Sequence, residues 1–200
     1  MDVVNTIENI KIKMKSQMRT HKGIYGLNEV FFFLAKIDKT GEGLLQKIKL
    51  DEAFGKLGIF LTTQEQSQLC KYIGINPGEQ ISLEKFTNIF RDEIPIKLIE
   101  SVTDTFEIIK GENETISIDY LNSIINIKKH PLVKIFHKSE DYAQRKLDLA
   151  IKFVLMNKPY MDLADFIEIH KNMFYTMPKE NVNYFIKYLP EIWGIKVNDF

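Results

Sequence analysis

The sequence predicts an all-α protein of two lobes, each a pair of helix–loop–helix units, with a further helix at either end. Apolar residues recur at helical spacing along most of the 200 residues. The helical runs are broken by short polar turns, each with one β-favouring residue near its centre: Leu45, Ile81, Ile116 and Met161. This design of helix, turn, β-favouring residue and helix repeats four times, at intervals of roughly 35 to 50 residues. One such unit cannot bury its apolar face alone. Units are therefore expected to pack in twos and to join their turns by a short two-stranded contact at those residues.

Residues 1–22 read as an amphipathic arm or helix with Ile7, Ile10 and Met14 on one side. The first lobe is placed at 23–94. There "GLNEVFFFLAKI" sets Leu27, Val30, Phe31 and Leu34 at helical spacing, and "IKLDEAFGKLG" does the same with Leu50, Phe54 and Leu57. "TTQEQSQLCKYI" opens with Thr62 or Thr63 as a cap and Glu65 or Gln66 behind it. "SLEKFTNIFRDE" then carries Leu83, Phe86, Ile89 and Phe90 on one side. Pro95 marks the boundary to a second lobe at 95–200. Its helices include "SIDYLNSIINI", with Ile118, Leu121, Ile124 and Ile125, and the pair "SEDYAQRKLDLAIKFVL" and "DLADFIEIHKNMF" around the turn "MNKP". After Pro178, "KENVNYFIKYLPEIW" reads as a capping helix with Phe185, Leu189 and Trp193.

Composition narrows the function classes. Acidic and basic residues balance at 27 each, so no long-range field favours nucleic acid, an anionic membrane or an acidic substrate. The single cysteine, Cys70, excludes an internal disulfide and fits a reducing compartment. Its amphipathic surroundings predict a buried structural thiol. The first residues lack the apolar core and cleavage site of a signal peptide, and no apolar run is long enough to span a membrane.

The turn "DKTGEGLLQKIK" has the outline of a twelve-residue calcium loop. Such a loop needs oxygen ligands at positions 1, 3 and 5, glycine at 6 and a bidentate glutamate at 12. Asp38, Thr40, Glu42 and Gly43 supply the first half, and only these three oxygen-bearing residues stand as weak metal candidates. Position 12 is Lys49, which removes two oxygens and adds a positive charge facing the ion. The second loop begins with Gly74, has Asn76 and Gly78 behind it and ends in Lys85. The third, Lys110 to Tyr120, is one residue short despite Glu112 and Glu114, and the fourth offers Asn157, Pro159 and a closing Asp165. The ligand pattern is gone, whereas Leu50, Phe86, Leu121 and Phe166 keep the first core position of each exit helix. No bound metal and no cofactor are expected.

The chain resembles the calcyphosin family of EF-hand proteins over about residues 20 to 195. The residues that carry the resemblance are the Gly-Ile-x-Gly-Leu entrance at Gly23, the Phe-rich helix, the Asp-led loop and the exit helix ending in Lys-Leu-Gly. "HPLV" at His130 to Val133, the acidic start at Glu140 and Asp141, and Met177 to Phe185 with Trp193 add to it. The resemblance implies a four-unit EF-hand architecture. It also implies a place among structural components of the ciliary axoneme, such as proteins fixed to doublet microtubules, hence a cytoplasmic or cytoskeletal location.

No HExxH, Walker-type loop, GxGxxG or GxSxG is present, so no nucleophile or phosphate cradle can be named and no enzyme is expected. His130 and His137 could approach across "PLVKIF"; His170 reads as a packed or rim residue. Phe31, Phe32 and Phe33 cannot all face one core, because helical neighbours point about 100° apart, and Phe174 and Tyr175 pose the same problem beside Met173 and Met177. Phe32, Phe33, Phe174 and Tyr175 are therefore the candidate protein-binding residues, joined by Lys11, Lys15 and Arg19 of the lysine-rich arm. The expected function is a non-catalytic scaffold that binds other proteins without calcium, tubulin or axonemal accessory proteins among them. The alternative is a weak calcium sensor working through Asp38.

Overall fold

A computed structural model describes residues 3–38, 41–46, 50–75, 80–156 and 158–196. It is all-α apart from short antiparallel bridges. The chain divides into two units, Met1–Asp92 with Tyr175–Pro178, and Glu93–Phe174 with Lys179–Phe200. The sequence boundary at Pro95 lies close to this division. The segment Tyr175–Pro178, which the sequence assigns to the second half, goes instead with the first unit, where the Thr176 hydroxyl donates to the Tyr25 carbonyl at 2.6 Å.

The first unit contains α1 (Val3–Lys22), α2 (Leu27–Ala35), β1 (Leu44–Gln46), α3 (Leu50–Leu57), α4 (Thr63–Tyr72), β2 (Gln80–Ser82) and α5 (Leu83–Thr87). α1 buries Ile7, Ile10, Met14 and Met18, one stripe repeating every three or four residues, against α3 and α4. At α4 the cap is Thr62: its hydroxyl accepts from the Glu65 amide at 3.2 Å, while the Glu65 carboxylate accepts from the Thr62 amide at 2.7 Å. β1 and β2 pair antiparallel with Leu45 opposite Ile81, both buried, as the repeat predicts. Phe54, Phe86 and Phe90 pack with tilted rings, centroids 5.6 and 6.0 Å apart. The inward face of α2 is Leu27, Val30 and Leu34; Phe31, expected there, lies at the far edge of that arc, about 100° from Val30, and is 38% exposed.

The second unit contains α6 (Ile96–Lys110), β3 (Ile116–Ser117), α7 (Ile118–Ile124), α8 (Pro131–Lys134), α9 (Glu140–Leu155), β4 (Tyr160–Met161), α10 (Leu163–Phe174) and α11 (Val182–Ile192). Ile116 opposes Met161 across β3 and β4, the same pairing as in the first unit. α7 is only two turns long: Ile125 turns extended, so Leu121 is buried while Ile118, Ile124 and Ile125 are half-buried. α11 packs on α6 and buries Phe185, Leu189 and Ile192, followed by Trp193. Among the described residues no helix is long and apolar enough to cross a membrane.

Candidate functional site

The loops that resemble calcium loops are built from internal bonds. In the first, the Asp38 carboxylate accepts from the Gly41 amide at 3.1 Å and the Gly43 amide at 2.6 Å. Both glycines sit at positive φ, 73° and 71°, which side chains with a Cβ rarely adopt. The turn is thereby preformed, and the Gly43 carbonyl accepts from the Leu83 amide at 2.8 Å, extending the β1–β2 contact. Glu42 is exposed. Thr40 and Lys49 lie outside the described residues, as do Asn76 and Gly78 of the second loop and Asn157 of the fourth.

Lysines occupy the neighbourhood of the other loops. At the second, the Lys85 ammonium lies 3.8 Å from the point where a Cβ on Gly74 would sit, so the closing residue folds back over the opening one. The third loop opens with Lys110, whose ammonium pairs with Glu107 at 3.0 Å. In the fourth, the Lys158 ammonium bonds both oxygens of Asp165, at 2.9 and 3.1 Å. Asp165 is the residue that closes the loop, and its carboxylate also accepts weakly from the Asp162 amide at 3.4 Å. The hydrogen bond to Asp165 raises the Lys158 pKa, keeping the ammonium charged. The ammonium neutralises the closing carboxylate from within the loop. Among the described residues no group of three or more His, Cys, Asp or Glu is placed to hold a metal ion.

The candidate protein-binding residues separate into two sets. Phe32 is 43% exposed on α2, beside Phe31, and Phe33 is half-buried with the Lys36 ammonium 5.6 Å from its ring centre. Phe174 and Tyr175, in contrast, are buried, as is Met177. The arm is engaged within its own unit: Lys11 and Lys15 both bond Asp92, at 3.0 and 2.5 Å, and Arg19 donates to the Thr176 carbonyl. These side chains hold α1 in place rather than projecting from it. Gln17 adds a two-way bond to the Phe60 backbone, and His21 bonds the Gly58 carbonyl.

Of the histidines, His170 is buried, the packed one of the two places expected for it. His137 is exposed at φ 51°, whereas His130 is buried. His130 and His137 therefore form no pair. The His170 Nδ1–H donates to the Phe166 carbonyl at 2.6 Å, which leaves Nε2 to accept from the Trp193 indole at 2.9 Å. His130 Nδ1 accepts from the Leu132 amide and caps α8, and its Nε2 has no hydrogen-bond partner among the described residues. Burial pushes both rings down, His130 to about 3 and His170 to about 4. Cys70, expected to be buried, is half-buried.

Sequence reasoning missed Asp92 as the anchor of the arm, the His170–Trp193 bond and the Lys158 clamp. Only the last had a local signal: a lysine inside a calcium-type loop, seven residues before an aspartate at its closing position. A scan against family models matches none of them to this chain, and a search of curated proteins finds no match.

Proposed function

We propose that the chain is a two-lobed EF-hand-type protein that binds other proteins without calcium and performs no catalysis. One observation carries the reading: the Lys158 ammonium sits on both oxygens of Asp165, the closing carboxylate of a calcium-type loop. A calcium sensor gains energy from the ion in one state and uses it to open a helix pair and expose an apolar groove. A loop that supplies its own cation has no such input. The apolar faces give a second support, because α1 already covers one unit and α11 the other. The resemblance to calcyphosin-type proteins suggests the setting, a ciliary axoneme with tubulin or accessory proteins as partners. The exposed Phe31 and Phe32 on α2 are the protein-facing aromatics this reading uses in the first unit.

Calorimetry at millimolar calcium tests it. The expected result is no saturable heat in the native chain. Changing Lys158→Gln leaves Asp165 without its counter-charge and is expected to give weak terbium emission sensitised by Tyr160, confirming what the lysine replaces. A saturable calcium heat in the native chain that vanishes in Asp38→Asn would defeat the proposal. That outcome would favour the second reading, a weak sensor at the first loop, for which the preformed Asp38–Gly41–Gly43 turn speaks.

A further inference from the structure

The second unit carries an open cleft of about 450 Å³ where the end of α6 meets β3 and β4. Its floor is apolar, with Ile109 and Ile116 both buried. Tyr120 and Tyr160 line it and stay 48% and 56% exposed. Two half-exposed tyrosine rings on one cleft give it an amphipathic lining of the kind found at interfaces, where one end of the ring stays wet. The Ser117 hydroxyl, also in the lining, is held by the Tyr120 amide at 3.3 Å, which ties the start of α7 to the strand.

Charge says what would cover it. Two charged residues line the cleft, Lys110 and Glu114. The Lys110 ammonium is taken by Glu107, outside the lining, at 3.0 Å. Glu114 is exposed and makes no ion pair among the described residues, so the uncompensated charge of the cleft is negative. Two tyrosine faces and a carboxylate suit a flat cation. A guanidinium stacks on aromatic rings and offers a fork of donors to a carboxylate, whereas an ammonium is a more strongly hydrated point charge.

We propose that this cleft is a docking site for an arginine side chain of an extended segment of a partner protein, held between Tyr120 and Tyr160 with its guanidinium on Glu114. The inference rests on the protein-binding reading above and gives the partner a chemistry. It also sets the docking residues on the loop side of the unit, away from the apolar face that α11 already fills.

Titration of the full chain with acetyl-Gly-Arg-Gly-amide, followed by amide shifts, tests it. Saturable shifts are expected at Glu114, Ser117 and Tyr160. The citrulline analogue, equal in shape but neutral, is expected to bind at least about threefold more weakly. Glu114→Gln, an exposed and near-isosteric change that leaves the fold alone, is expected to weaken the arginine peptide by a similar factor, and Tyr120→Ala and Tyr160→Ala likewise. No saturable shift, an equal response to citrulline, or an unchanged response in Glu114→Gln would each overturn the proposal. Crosslinking in cell extract separates this failure from that of the broader reading. Calcium-independent crosslinks that persist when the peptide fails sink the cleft and leave the scaffold standing. Peptide binding without any crosslinked partner does the reverse.

Discussion

The two units share a frame but cover it differently. In each, paired turns meet through an antiparallel bridge, Leu45 to Ile81 and Ile116 to Met161, and one helix from a chain end fills the apolar face. The cover of the first unit, α1, is fastened at its polar flank by Lys11 and Lys15 on Asp92, Lys13 on Glu65 and Gln17 on the Phe60 backbone. The cover of the second, α11, runs into a buried ring cluster in which Trp193 lies 5.1 Å from Phe166 and 5.7 Å from His170. One problem therefore has two solutions with different weaknesses. Ionic fastening depends on salt and on carboxylates staying charged, and a neutral ring cluster depends on histidines staying uncharged.

Acid separates them most strongly. His130 and His170 take up a proton at about 3 and about 4 in the folded chain, both below the ordinary 6.5, because burial penalises the imidazolium. Depressed histidines make the unfolded chain bind protons first, so stability falls as pH drops below about 6.5 and continues to fall towards the folded values. By pH 4 the loss is about 3 kcal/mol for each ring. A proton on His170 Nε2 would also face the Trp193 indole N–H, donor against donor. In the first unit, Lys13 and Thr62 hold the Glu65 carboxylate below its usual range, and two ammoniums outweigh burial to do the same for Asp92. Those contributions persist above the ordinary carboxylate range and fade as pH falls from that range through the depressed values. Trp193, the single tryptophan, should therefore report unfolding of its unit between pH 6 and 4, while amides at Phe54 and Phe86 stay protected. Simultaneous loss of both signals, or a flat Trp193 signal down to pH 4, would contradict this.

A mutation in the ring cluster is the next largest effect. Trp193→Ala removes a 2% exposed side chain packed on Phe166 and leaves His170 Nε2 without its donor. The expected cost is about 3–5 kcal/mol. Trp193→Phe keeps most of the packing but not the bond, and should cost visibly less. Hydrogen exchange should quicken at Phe106 and Phe166 in the alanine variant and hardly change at Phe86. Equal loosening at all three would mean that the cluster is not specific to the second unit.

How much of this the sequence discloses follows from the range of each interaction. Leu45, Ile81, Ile116 and Met161 are legible because a β-favouring residue centred in a polar turn is a local pattern with one structural use. The cap at Thr62 is legible for the same reason, and so is the buried stripe Ile7, Ile10 and Met14. Phe31 is not, since four apolar neighbours on a two-turn helix fit several arcs and only packing selects Val30. Phe174 and Tyr175 read as candidate surface residues in sequence, whereas both are buried, and Tyr175 groups with the first unit, distant along the chain. The arm is the clearest case. Its lysines read as partner-binding residues until Asp92, 77 positions from Lys15, is placed against them.

That pair and its neighbour at Lys13 set the smaller predicted effects. Asp92→Asn keeps the shape but leaves Lys15, with 8% of its side chain exposed, beside Lys11 with only the weaker field of Glu8 to offset its charge. Removing one partner of a largely buried pair costs more than the pair itself contributes. Burial already lowers the Lys15 pKa, so the ammonium can shed its proton rather than stay charged and unpaired, which limits the cost to about 2 kcal/mol. Lys15→Met in the same chain removes the stranded charge while keeping an apolar stem against the unit. The double variant should therefore regain part of the loss, as measured by the urea midpoint of α1-reporting amides. Lys13→Ala, at a pair with 37% and 24% of its side chains exposed, should cost no more than about 1 kcal/mol. If the double variant were instead less stable than Asp92→Asn alone, Lys15 would be contributing packing or a bond beyond Asp92, and the ionic account of how α1 is fastened would fail.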